Sequence, residues 1–127
     1  MKIGLDTNRY VDFCRGKEDV VKQVQEAERI YLPFVTLGEL RAGFECGNSR
    51  TKNERALTRF LNSPRVRILY ADGQTTHHYA KIYAQLRTQG TPIPTNDIWI
   101  AALMMQHDLP LATRDPHFDN ISQLARV

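Results

Sequence analysis

Lys2-Ile3-Gly4-Leu5-Asp6-Thr7-Asn8 is a short apolar run that ends in an acid and passes at once into residues that cap helices. A run of this kind reads as a buried strand feeding the N-terminus of a helix. Tyr10, Val11 and Phe13 carry the apolar side of that helix until Gly16 stops it. The opening unit is therefore strand, acid, helix, and it sets the expectation for the rest of the chain.

The same alternation continues outward. Residues 18–29 predict a one-faced helix with Val20, Val21 and Val24 inside, and residues 30–35 a strand. Pro33 cannot donate to a ladder, which predicts an edge position or a bulge for that strand. Thr36-Leu37-Gly38-Glu39 opens a helix running to about Cys46 and ended by Gly47. Residues 51–61 predict another helix, 66–70 a strand, and 75–89 a helix with Tyr79, Ile82, Tyr83 and Leu86 at helical spacing, closed by Gly90. After the rigid Pro92-Ile93-Pro94, residues 96–107 predict a helix, 109–113 a strand, and 121–127 a last short strand. Strands alternating with helices predict an α/β fold, a single domain over residues 1–127 with a largely parallel central sheet flanked by helices.

Composition narrows the functional classes. At 127 residues, 42% apolar and 24% charged, the chain is neither disordered nor fibrous. A net charge of +3 and a pI of about 9.0 are compatible with a polyanionic partner. Cys14 and Cys46 stand far apart with no C-x-x-C, so neither a zinc site nor a disulfide framework is expected. An aspartate at position 6 interrupts any signal-peptide core, and no apolar stretch is long enough to span a membrane. The expected compartment is the cytoplasm, with both thiols reduced.

Asp6, Glu39, Asp97 and Asp115 each have an ordinary explanation. Asp6 caps the first helix, Thr36 and Glu39 match a capping box, Asp97 sits in a first helical turn, and Asp115 initiates a turn before Pro116. Together they point elsewhere. Asp6 and Asp115 fall at the C-terminal ends of strands, Asp97 starts a helix, and Glu39 follows a strand by a short connection. A parallel sheet gathers such positions at one edge, where these folds place ligands. Four carboxylates in one cleft repel unless a counter-charge is supplied, and a hard divalent cation supplies it. Mg²⁺ or Mn²⁺ held there suits phosphodiester hydrolysis. No G-x-S-x-G is present and neither cysteine has a neighbouring base, so nucleophilic catalysis has no competing residue set.

Four ordered motifs carry a family resemblance: Leu5-Asp6-Thr7-Asn8; Thr36-Leu37-Gly38-Glu39-Leu40; Pro94-Thr95-Asn96-Asp97-Ile98-Trp99-Ile100-Ala101-Ala102; and Thr113-Arg114-Asp115-Pro116-His117-Phe118. In this set the chain resembles the PIN-domain nucleases, specifically the VapC-type toxins of type II toxin–antitoxin pairs. The resemblance implies that Asp6, Glu39, Asp97 and Asp115 are the catalytic, metal-binding acids. It implies that Thr7, Asn8, Asn96 and Thr113 orient those carboxylates. It further implies a Mg²⁺- or Mn²⁺-dependent endoribonuclease acting on a structured RNA (tRNA or ribosomal RNA), homodimerisation, and inhibition by a small cognate antitoxin. The rival readings are a metal-dependent phosphohydrolase, for which Asn8 stands where a second acid is wanted, and an idle PIN-like RNA-binding or scaffold module.

The remaining polar residues divide into two groups. Lys52, Arg55 and Arg59 form a basic stripe that is either a solvated helix face or a grip on RNA phosphates. Arg9, Arg41 and Arg114 lie near three of the acids in sequence, placed to hold a scissile phosphate or to pair the acids without metal. The histidines His77, His78, His107 and His117 are expected to serve surface or packing roles.

Overall fold

A computed structural model describes all 127 residues. β1 (Lys2–Leu5) leads through α1 (Thr7–Cys14) and α2 (Glu18–Glu26) to β2 (Arg29–Pro33). Two helices, α3 (Phe34–Cys46) and α4 (Arg50–Leu61), precede β3 (Val66–Leu69). α5 (Gly73–Gln89) and α6 (Thr95–His107) then run to β4 (Leu111–Ala112) and a 3₁₀ turn over Pro116–Asn120. The strands form one sheet in the order β3-β2-β1-β4, and every pairing is parallel. The α/β architecture with a parallel sheet between helices is as the sequence predicts.

Strand alternation sorts the side chains to two faces. Ile3, Leu5, Ile30 and Leu32 enter a core shared with Val20, Val24, Leu37, Leu40 and Leu57, from α2, α3 and α4. The opposite core is built on α5 and α6, with Ile82, Leu86, Ile98, Leu103, Met104 and Phe118. Gly4 faces this second side, and a Cβ there would run into Met104 Sδ and come within 2.8 Å of Met104 Cε. The glycine therefore lets α6 lie close against β1.

Residues 34 and 35, expected in the second strand, open α3 instead, α5 starts two residues early at Gly73, and the strand expected over 109–113 is only Leu111–Ala112. Three further expectations are corrected. The helix predicted over residues 18–29 ends at Glu26, because the Arg65 guanidinium takes the exposed carbonyls of Val24 and Ala27, at 2.9 and 2.6 Å. Pro33 marks neither an edge strand nor a bulge, since β2 lies between β1 and β3. The register with β1 ends at Tyr31, and Pro33 is the last residue of the strand, paired with Leu69 on β3 alone. Residues 121–127 form no strand but an isolated bridge between Leu111 and Arg126. Gly90 closes α5 in the left-handed conformation, φ 73°, which glycine adopts without the strain of a Cβ.

The chain steps from β1 to β2 to β3 in one direction and returns to place β4 on the other side of β1. That reversal opens a crevice at the C-terminal end of β1, the position at which open parallel sheets bind ligands.

Candidate active site

Asp6 is the residue at that crevice. It follows β1 directly, caps α1 by accepting from Arg9 N at 2.9 Å, and is 4% exposed. Its second oxygen accepts a short hydrogen bond from Thr113 Oγ1. The same hydroxyl accepts from Asp115 N at 3.0 Å, so its single proton is directed at Asp6. Thr113 thus ties the end of β4 to the end of β1, orienting the Asp6 carboxylate and holding the Asp115 backbone.

Glu39 lies in the second turn of α3 and accepts from Thr7 Oγ1 at 2.7 Å. It closes no capping box: α3 starts at Phe34 after Pro33, and the buried Thr36 hydroxyl has no partner. Asp97 stands in the first turn of α6, where the helix dipole favours its charge. Asp115 caps the 3₁₀ turn by accepting from His117 N at 2.9 Å. His117 Nδ1 lies 3.0 Å from Asp97 and 3.2 Å from Asp115.

Electrostatics join the acids into one group. Burial, and then the charge of Asp115, raise the Asp6 carboxyl above its usual range, against the hydrogen bonds from Thr113 and Arg9. Asp97 is likewise raised, chiefly by burial and with contributions from Asp115 and Glu39. The structure therefore brings all four sequence-predicted acids within electrostatic reach of one another, with the ionised forms of Asp6 and Asp97 disfavoured. Asp97, Asp115 and His117 each offer a ligand atom within 4.8 Å of the others. Hard oxygen donors, crowded negative charge and an imidazole fit a divalent cation.

Of the residues expected to orient the acids, Thr7 and Thr113 make those bonds, whereas Asn8 and Asn96 are exposed and hold none of the carboxylates. The arginines do not pair the four acids. Arg9, buried, donates to Asp12 at 3.1 Å and Asp19 at 2.9 Å. Arg114 donates to Asp12 at 2.7 Å, and Arg41 pairs with Glu54 at 2.9 Å. The basic stripe is divided as well. Arg55 and Arg59 line a cavity of about 680 Å³ with Arg41 and Arg50, between α3 and α4, whereas Lys52 lies outside it.

Two residues escaped the sequence reading. Asp12 has no exposure yet receives Arg9, Arg114 and, at 3.5 Å, Lys17. The Arg114 guanidinium, with Arg9 adding to it and burial opposing both, holds its carboxyl far below the usual range. Through Arg114 it fastens the loop bearing Thr113 and Asp115 to α1. The available signal was an aspartate set among Tyr10, Val11 and Phe13. The second is His117, expected at the surface, whose ring reaches the acids because Pro116–Asn120 coils into a 3₁₀ turn.

Comparison with known proteins agrees with this geometry. The PIN domain family matches residues 3–124. Ribonuclease VapC1 of Haemophilus influenzae (strain R2866) is 30% identical over 127 residues, spanning 97% of this chain and 90% of that protein. DNA-bound VapBC from Salmonella typhimurium superposes with a TM-score of 0.89 at 26% identity, over 100% of this chain and 97% of that one. VapBC-1 from nontypeable Haemophilus influenzae does so with a TM-score of 0.88 at 28% identity, over 100% and 97%. With a matching fold, an end-to-end family match and the ordered acids at the sheet's switch point, the chain belongs to the PIN-domain family, in its VapC-type branch.

Proposed function

We propose that the protein is a divalent-metal-dependent endoribonuclease toxin that cleaves structured RNA, tRNA or ribosomal RNA, and is restrained by a cognate antitoxin. The observation that carries this reading is the convergence of Asp6, Glu39, Asp97 and Asp115, with Asp6 and Asp97 held against their own ionisation. Such a cluster is costly unless a cation is part of its working state. Its likeness to proteins named as ribonucleases and to toxin–antitoxin complexes supports RNA as substrate and a small protein as partner.

Asp6, Asp97 and Asp115 would hold the cation, Glu39 completing the set. Bound Mg²⁺ or Mn²⁺ would supply Lewis acidity and counter-charge for phosphodiester hydrolysis. Thr113 and Thr7 hold the Asp6 and Glu39 carboxylates by hydrogen bonds, the orienting role that acids of this kind need. Arg114, half exposed beside Asp115, is placed to meet a phosphate through the guanidinium edge left over once Nε and Nη2 donate to Asp12. Arg41, Arg55 and Arg59 offer a phosphate track on the neighbouring face. Homodimerisation and a cytoplasmic setting accompany the reading, and no helix is long and apolar enough to cross a membrane.

Purified protein incubated with tRNA and ribosomal RNA transcripts tests this directly. Discrete cleavage with Mg²⁺ or Mn²⁺, none with EDTA, and none by Asp97→Asn is expected. Full cleavage by Asp97→Asn sinks the proposed site. No cleavage of any RNA by the metal-loaded wild type favours an idle module.

A further inference from the structure

His117 is placed more deliberately than a surface histidine needs to be. Asp115 and Pro116 start the 3₁₀ turn, Phe118 anchors it with 1% exposure, and the ring is left projecting toward two acids. Its Nδ1 lies 3.0 Å from Asp97 Oδ2 and 3.2 Å from Asp115 Oδ1. Asp115 Oδ1 already accepts the His117 backbone N–H at 2.9 Å. One ring nitrogen and two carboxylate oxygens thus offer three donor atoms within 4.8 Å of one another, close enough to share one cation. The spacing suits that cation: ligands at about 2.1 Å on adjacent corners of an octahedron lie about 3.0 Å apart.

We propose that His117 Nδ1 is a direct ligand of the cation at this site and makes the site select manganese and later first-row divalent metals over magnesium. This rests on the metal-site reading above and adds a nitrogen donor to a set of carboxylates. Magnesium is a hard ion that takes oxygen and keeps its waters, so an imidazole gains it little. Divalent ions further along the first row bind imidazole progressively better. One nitrogen beside two oxygens therefore tilts the site away from magnesium.

The test uses the intact chain and reads the metal rather than the reaction. Electron spin-echo modulation of bound Mn²⁺ reports whether a nitrogen is directly coordinated, and calorimetry gives the Mn²⁺ and Mg²⁺ affinities of wild type and His117→Gln. The His117 side chain is 46% exposed, so the variant is expected to fold, which its melting temperature checks. The wild type should show coordinated ¹⁴N that His117→Gln lacks. The variant should bind Mn²⁺ more weakly by about tenfold or more, a scale that even outer partners of metal sites reach. Its Mg²⁺ affinity should stay near the wild-type value. Bound Mn²⁺ with no coordinated nitrogen, or equal weakening of both metals, overturns the role of His117 while leaving the metal site standing. A wild type that binds no Mn²⁺ overturns the metal reading and the proposal with it.

Discussion

The Asp12 carboxylate has no solvent exposure and takes charge-assisted bonds from Arg9 and Arg114. Removing one partner of a buried pair leaves the other charge uncompensated, and Arg9 is itself buried. Asp12→Ala should therefore lower stability by about 3 kcal/mol, as measured by urea unfolding at pH 7. The pH dependence has a definite sign. The folded-state pKa of Asp12 lies below its unfolded value of 3.8, so its contribution is complete above that value and lost as pH falls through the range beneath it. Asp12→Asn should flatten the fall in stability below about pH 4, and an unchanged acid limb would remove Asp12 from this role. Asp97 behaves oppositely, because its ionised form is disfavoured in the folded chain. Asp97→Asn should keep or raise the melting temperature without metal, and Mn²⁺ should stabilise it less than wild type. A large loss of metal-free stability would show that Asp97 holds the fold together.

Among the elements, the contact of β1 with α6 depends on Gly4. Gly4→Ala drives a methyl into the tip of the buried but flexible Met104 side chain, which must swing aside, and should cost about 1 kcal/mol, the low end for overpacking. Shortening the neighbour, as in Gly4→Ala with Met104→Val, should recover part of the loss in thermal unfolding. The α3–α4 face makes a separate prediction. If Arg41, Arg55 and Arg59 meet phosphates, changing all three to Gln should weaken RNA binding and flatten its salt dependence, whereas Lys52→Gln alone should do less. An unchanged salt slope returns that face to an ordinary solvated surface. Element order and the positions of the four acids were legible in the sequence because both follow from local pattern: apolar strands, capping residues, and acids at strand ends. What was not legible arises from distant partners. Arg65 ends α2 from 38 residues away, and Arg114 reaches Asp12 across 102. Pro33 looked like a mark of an edge because its neighbour on β3 and the shorter reach of β1 become visible only in the assembled sheet. Asn8 and Asn96 entered through the family motif, and motif membership does not fix where a side chain points.

At the scale of the whole molecule, the proposed function makes the four acids at the switch point of the parallel sheet the site of a nuclease that would act on the cell's own RNA. Such an activity needs restraint, and the acids themselves offer the handle. An arginine from a partner would form charge-assisted bonds with the carboxylates in place of metal. Expression of the chain alone should arrest growth, and a small co-expressed partner should relieve the arrest only while it retains an Arg or Lys. Relief that survives loss of every such residue would move the inhibitory contact away from the acids. The most direct measurement is a map of new RNA 5′ ends after induction of the wild-type chain, beside Asp6→Asn expressed to the same level. The account predicts a small set of new ends in structured RNA with the wild type and none with Asp6→Asn. The same ends in both, or none in either, would contradict it.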